Sequence, residues 1–254
     1  MGKYVLTAPV LALAATAAPA QAQEIDWTGF YVGAHGAWVD TDADWTGQSI
    51  YQSVDGGEGG FTTSSQTVPI SETLSGSEIG GGGRVGFNFQ AGALVLGAEA
   101  DATFFGFTES VTRTSGGTTY TLVSDASDLE TIRARAGLAF GRAMIFATGG
   151  IAFSGLDHSL AATNVSEIVV DGGEGGDTVG TQTANLLDTA GTGTGWTIGG
   201  GGEVAVGNNL SVALTLLHVD FGSETLGASA APSSVSATVD STMFVGMLGV
   251  NLRF

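Results

Sequence analysis

The stretch TIRARAGLAFGRAMIFA, residues 131–147, decides the fold. Every second residue of its first half, starting at Ile132, is apolar, and Arg133 and Arg135 lie between these apolar positions. Successive side chains of a β-strand point to opposite faces, so this period of two predicts a strand with one apolar and one polar face. Gly141-Arg142 then separates it from a second apolar run. The stretch therefore predicts a tight β-hairpin.

The same alternation occurs in eight segments: 27–38, 78–90, 93–106, 128–141, 143–156, 195–207, 210–222 and 240–254. Each is long enough for a tilted strand that crosses a membrane, which needs about 9–11 residues. Three connections are tight turns, at Ala91-Gly92, Gly141-Arg142 and Asn208-Asn209. The other four are long, polar and acidic: 39–77, 107–127, 157–194 and 223–239.

This pattern predicts an all-β fold, an eight-stranded antiparallel up-and-down transmembrane β-barrel with short periplasmic turns and long acidic extracellular loops. A soluble β-sandwich also has alternating strands and is the alternative. The regular alternation of short and long connections favours the barrel, since a sandwich does not require it. The residues opposite the apolar face are small or charged, which also suits a narrow closed interior.

The first residues have the features of a secretory signal peptide. Met1-Gly2-Lys3 is basic, 5–18 is an apolar stretch, and Ala20-Gln21-Ala22 fits the small-x-small rule of signal peptidase. We therefore predict a cleaved signal peptide at 1–22 and a barrel domain at 23–254. A retained membrane anchor is the alternative, and the short apolar core argues against it.

Composition excludes several classes of function. The 254 residues carry a formal net charge of −18, which argues against nucleic-acid binding and against a polybasic membrane-surface protein. The chain has no cysteine, so no disulfide supports the exported protein. Mean hydropathy is +0.27 although 42 residues are glycine, and after the signal peptide no apolar run reaches the length of a membrane helix, about 18 residues.

Several motifs resemble the small porin-family, or opacity-like, outer-membrane β-barrel proteins of Gram-negative bacteria. The motifs are WTGFYVG at 27–33, RVGFNFQ at 84–90, VLGAEAD at 95–101, IRARAGL at 132–138, ATGGIAF at 147–153, GWTIGGGGE at 195–203 and GVNLRF at 249–254. Thr215-Leu216-Leu217 departs from the family, which often has an aromatic or acidic pair there. The resemblance implies a place in the cell outer membrane, in contact with its lipid and lipopolysaccharide. It also implies that Phe254 is a signal for the outer-membrane assembly machinery.

Charged residues on the polar faces of the strands predict an interior charge network. Its predicted members are His35, Glu78, Arg84, Glu99, Asp101, Arg133, Arg135 and Glu203. An eight-stranded barrel is only wide enough for side chains to fill, so we predict that Arg–carboxylate pairs plug the lumen. A narrow path for ions or solutes along these groups is the alternative. The main hypothesis is a structural or surface-interaction role.

Other residues suggest chemistry more weakly. The inserts 55–60 and 171–176 both read DGGEGG, and 172–179 matches one unit of a calcium-binding repeat, so Asp171, Glu174 and Asp177 are weak metal candidates. His158 and His218 are weak heme candidates, because the resembling family includes heme-binding surface proteins. The adjacent residues His158 and Ser159 suggest the alternative of a lipid-A hydrolase. However, the side chains of neighbouring residues in a strand point to opposite faces, which argues against a catalytic pair. We predict no enzyme and no cofactor.

Aromatic residues near the strand ends suggest girdles at the two membrane interfaces, with core packing as the alternative for each. They are Trp27, Tyr31, Trp38, Trp45, Phe104, Phe105 and Phe107.

Overall fold

The protein is a closed antiparallel barrel. The computed structural model describes residues 25–57, 60–115, 118–164, 182–230 and 233–254, and the predicted signal peptide at 1–22 lies outside them. The strands are β1 (Gly29–Gly57), β2 (Gly60–Ala91), β3 (Leu94–Ser115), β4 (Thr118–Phe140), β5 (Ala143–Asn164), β6 (Gln182–Ala205), β7 (Leu210–Ala230) and β8 (Ser233–Arg253). Each strand pairs with the next in the chain, and β8 pairs with β1. The predicted strand number and up-and-down order are confirmed.

No helix in the described parts of the chain is long and apolar enough to cross a membrane.

The predicted apolar faces point outward along the first half of the barrel. Phe30 is 68% exposed, Ile79 is 86% exposed and Leu248 is 61% exposed, whereas inward Tyr31 is only 2% exposed. The outer residues from all eight strands form one apolar band, as lipid contact requires. This band covers about 30–38, 79–89, 94–104, 132–140, 143–153, 196–206, 210–216 and 244–254.

The strands continue well beyond this band, so large parts of the four predicted long loops are strand. On β1 the alternation continues past Trp38, but the apolar residues now face inward and the polar residues outward. Val39 and Trp45 are buried inside, whereas Asp42 and Asp44 face outward. Water surrounds this part of the barrel, so its polar face is outside and its apolar face is inside. The acidic residues Asp42 and Asp44, which suggested a loop, thus lie on the outer face of an extension of β1.

Above the apolar band the barrel wall divides into two sheets. Pairing between β2 and β3 ends at Gly81 and Phe104, and pairing between β6 and β7 ends at Trp196 and Asp220. The other six strand pairs continue upward. One four-stranded sheet is therefore β7-β8-β1-β2, which we call sheet A, and the other is β3-β4-β5-β6, which we call sheet B.

Tight turns lie at the opposite end of the barrel. Gly92 and Gly141 have φ angles of 63° and 60°, the left-handed conformation that favours glycine in two-residue hairpins. The backbone N–H of Phe254 donates to the carbonyl oxygen of Phe30 at 2.9 Å, which places the C-terminal residue at this same end. By the rule for outer-membrane barrels, short turns mark the periplasmic side.

Candidate functional site

The candidate site is a cluster of charged side chains inside the membrane-band part of the barrel. Glu99 on β3 is directly opposite Arg133 on β4 in the strand pairing, and both face inward. Arg135 is opposite Gly97, where an added Cβ would lie 3.1 Å from the arginine Cγ. The missing side chain at Gly97 therefore leaves room for the stem of Arg135 along the barrel wall.

Ion pairs join six of the eight predicted residues. Glu99 is the centre: it pairs with Arg133 and lies 3.9 Å from Arg84 and 3.8 Å from Arg135. Asp101 lies 2.6 Å from Arg133, and Glu203 lies 3.1 Å from Arg135. All six side chains are at most 6% exposed. Three cations thus face three anions, and the balance offsets part of the desolvation penalty of burying them.

Uncharged residues donate further hydrogen bonds to two of the carboxylates, Glu99 and Glu203. The hydroxyl of Tyr31 donates to Glu99 at 2.7 Å and accepts from Arg135 at 3.0 Å. Ser211 and Asn251 donate to Glu203 at 2.5 Å and 3.0 Å. These partners share the inward parity of the charged residues, so the alternation could have identified them. From its place near a strand end, Tyr31 is instead predicted among the interfacial aromatic residues.

Two predicted members lie apart from the ion pairs. His35 is buried and its Nε2 lies 2.9 Å from the hydroxyl of Thr103. Glu78 faces inward at the upper edge of the band, is only partly buried, and has no ion pair among the described residues.

Apolar layers fill the barrel above and below the charge cluster. Below it, near the tight turns, Trp27 packs with Ile25, Val95 and Met144. The layer above comprises Ala37, Val39, Phe107, Ala126, Leu129, Ala152, Leu156, Leu217, Val219, Met243, Val245 and Met247. A third layer, between sheets A and B, comprises Ala43, Trp45, Ile70, Leu74, Tyr120, Leu122, Leu160, Leu226, Ala237 and Val239.

The side chain of Trp27 fills the periplasmic end of the barrel interior. Its backbone N–H donates to the Gln90 side chain at 2.8 Å, and the guanidinium of Arg253 lies 4.5 Å from the centre of its ring. The indole is fully buried. The residues just after the predicted cleavage site thus enter the barrel and contact the last strand.

The interfacial assignment of the aromatic residues is wrong for four of them. Trp27, Tyr31, Trp45 and Phe107 are at most 3% exposed and pack inside, because they have inward parity. Phe105 is partly buried and packs against the middle apolar layer. Trp38 and Phe104 are exposed, at 42% and 63%, on the outer face near the upper edge of the band.

A second buried polar group lies between the two upper apolar layers. His158 on β5 is 4% exposed, and its Nδ1 and Nε2 lie 3.1 Å and 3.3 Å from the hydroxyls of Ser124 and Ser241. The indole N–H of Trp45 donates to Ser124 at 3.1 Å. Ser159, the neighbour that suggested a hydrolase, has the opposite parity. His158 therefore has serine partners, and both His158 and Ser124 are buried in the interior.

The structure gives no further support to the weak metal candidates or to His218 as a heme ligand. Asp171, Glu174 and Asp177 lie outside the described residues, as does Glu58 of the first DGGEGG insert. Within the described ranges, no group of three or more His, Asp or Glu side chains is arranged to hold a metal ion. His218 is exposed on the outer face, with its ring against Trp196 at 5.6 Å.

An acidic stripe runs up the outer surface of β1 above the band. Thr73 donates to Asp44 at 2.5 Å, and Ser77 donates to Asp40. Partial burial, with Asp44 and Asp40 as neighbours, raises the pKa of the Asp42 carboxyl above its ordinary value. This surface therefore carries crowded negative charge.

Comparisons with known proteins find relatives and structural neighbours among outer-membrane proteins. The chain is 29% identical over 223 residues to the 31 kDa outer-membrane immunogenic protein of Brucella melitensis, an alignment that covers 84% of this chain and 78% of that protein. Among solved structures, Ail, the attachment invasion locus protein of Yersinia pestis, is 10% identical, with coverage of 85% and 98% and a TM-score of 0.35. The outer-membrane protease OmpT of Escherichia coli is 8% identical, with coverage of 89% and 97% and a TM-score of 0.41.

The model of one family, described as the outer membrane protein beta-barrel domain, matches residues 8–254. Since the match covers nearly the whole chain, this protein belongs to the outer membrane protein beta-barrel domain family and is a β-barrel of the Gram-negative outer membrane.

Proposed function

We propose that the protein is a closed, non-conducting barrel with a structural or surface-interaction role in the outer membrane. The observation that carries this proposal is the balanced ion cluster around Glu99, which fills the lumen where a channel would need an open path. The apolar layers above and below the cluster support a closed lumen. The His158–Ser124 pair does not support a catalytic role, since both residues are buried.

Conductance in planar lipid bilayers tests the closed lumen. We expect the refolded mature protein to give no steady single-channel current above the bare-membrane baseline, because neither ions nor water can pass through paired charges and packed apolar layers. A known outer-membrane porin in the same bilayers is the positive control. Long-lived, uniform current steps that scale with protein concentration would overturn the proposal in favour of a narrow channel.

We also propose that Phe254 acts as the recognition signal for the assembly machinery. Its ring is 72% exposed at the periplasmic end of β8, where a partner could reach it before the barrel closes. Lipid and lipopolysaccharide would then surround the assembled apolar band.

Phe254→Ala should reduce severalfold the amount of SDS-resistant barrel in outer-membrane fractions, with precursor accumulating in the periplasm. Phe30→Ala is the matched control, since Phe30 is 68% exposed at the same end but is not terminal. If the two variants reach the membrane equally well, Phe254 contributes only apolar area. Refolding both variants into lipid vesicles without the machinery should give similar yields.

A further inference from the structure

The polar group around His158 connects sheet A to sheet B. Trp45 and Ser241 belong to β1 and β8 of sheet A, and Ser124 and His158 belong to β4 and β5 of sheet B. The hydrogen bonds described above thus cross the interior at a level where the backbone pairing between β2 and β3, and between β6 and β7, has already ended.

A neutral imidazole satisfies every member of this chain of hydrogen bonds. The indole N–H of Trp45 donates to Ser124, the hydroxyl of Ser124 donates to Nδ1 of His158, and Nε2–H of His158 donates to Ser241. A protonated ring would have two N–H donors and no acceptor lone pair. Ser124 would then lose its acceptor, and a positive charge would lie between two apolar layers.

We propose that His158 makes this link acid-sensitive, so that protonation of its ring separates the two extracellular sheets while the membrane-embedded barrel stays closed.

Both ring nitrogens of His158 have serine hydroxyls as partners, so the charged groups around the ring act on it through space. The carboxylates that favour its charged form are Glu224 on β7, Asp157 on β5 and Asp125 on β4. Asp157 is exposed on the outer face, and Glu224 is exposed as well. On β8, Asp240 is exposed next to Ser241.

Among the residues whose side chains the structure describes, the remaining strands supply no free counter-ion facing the ring. On β1 the acids beside Trp45 face outward, and on β2 Glu72 is already paired with Arg113 of β3 at 2.8 Å. On β6, Thr189 is opposite His158 in the pairing and Asp188 is opposite Ser159.

The sign of the pH effect follows from burial. Burial lowers the pKa of His158 below its ordinary value of 6.5, and the three carboxylates only partly offset this. Once the sheets separate, the ring regains its ordinary pKa and binds protons more readily. The link is therefore fully effective at neutral pH and is lost as the pH falls below 6.5.

Amide hydrogen exchange of the protein in lipid vesicles tests the proposal, measured at about pH 7.5 and about pH 5 and corrected for the intrinsic exchange rate. We expect exchange in 39–48, 120–126 and 156–161 to become severalfold faster at the lower pH. Exchange in the membrane segments 84–90 and 132–138 should not change and provides an internal reference.

Two variants distinguish a proton effect from a merely structural one. His158→Gln keeps a polar side chain but cannot titrate, so its upper segments should exchange at one rate at both pH values, whether or not that rate exceeds the wild type's. His218→Gln, at an exposed histidine, should keep the full pH dependence. An unchanged wild type, a uniform change that includes the membrane segments, or the same pH dependence in His158→Gln would each overturn the proposal.

Discussion

Glu99→Gln should lower the free energy of unfolding by about 3–5 kcal/mol, the usual effect of removing one partner from a buried ion cluster. All three cluster arginines approach the Glu99 carboxylate within 4 Å, so its neutralisation leaves three buried cations facing two anions. Glutamine preserves the volume of the side chain, so the loss reports charge rather than packing. Reversible urea unfolding in lipid vesicles is the measurement.

Glu78→Gln is the matched control. Glu78 has the same residue type and the same inward parity, but it is partly exposed and has no ion pair within the described ranges, so we expect a change within about 1 kcal/mol. The double variant Arg84→Gln and Glu99→Gln restores equal numbers of cations and anions. It should be more stable than the sum of its single variants predicts, by about 0.5–3 kcal/mol. If Glu99→Gln and Glu78→Gln lower the free energy of unfolding equally, the ion pairs of the cluster do not stabilise the barrel.

Periodicity was enough to predict the barrel and most of the cluster. A period of two assigns every residue of a strand to one of two faces, and the positions of Arg133, Arg135 and Glu99 follow from it. The pairing of Glu99 with Arg133 does not follow from periodicity, because β3 and β4 are joined by the predicted long connection 107–127, which does not set their register. The same parity places Tyr31 inside, between outward Phe30 and Val32.

The sequence did not predict that the strands extend beyond the membrane band. In that part of the barrel the polar residues face outward and the apolar residues face inward, the opposite of the membrane segments. Beyond Trp38 the outward residues of β1 are acidic and the inward residues are apolar, which resembles a loop if lipid is assumed to be outside. Nor could the sequence place His158 against Ser241, because these residues lie on strands that are not neighbours in the wall. Contacts across the interior depend on barrel geometry, which local alternation does not encode.

Gly82→Ala should prevent stable closure of the barrel, whereas Gly83→Ala should be tolerated. A Cβ at Gly82 would lie 1.8 Å from the backbone carbonyl oxygen of Ala102 and 2.8 Å from its carbonyl carbon. Backbone atoms cannot rotate away as a flexible side chain can, so β2 and β3 would have to move apart close to the point where their pairing already ends. We expect a loss of stability above about 3 kcal/mol, the upper end of ordinary overpacking costs.

Gly83→Ala is the matched control for Gly82→Ala. Gly83 faces lipid, and an added Cβ would lie 3.5 Å from the Gly33 carbonyl oxygen, an ordinary contact. Both variants add one methyl group to the same strand and lower its backbone freedom equally, so helix or strand propensity cannot separate them. Electrophoresis without heating should show the compact, SDS-resistant band for Gly83→Ala and little of it for Gly82→Ala. Equal compact bands would mean that the wall at this point can widen, and that close approach of β2 to β3 does not limit closure.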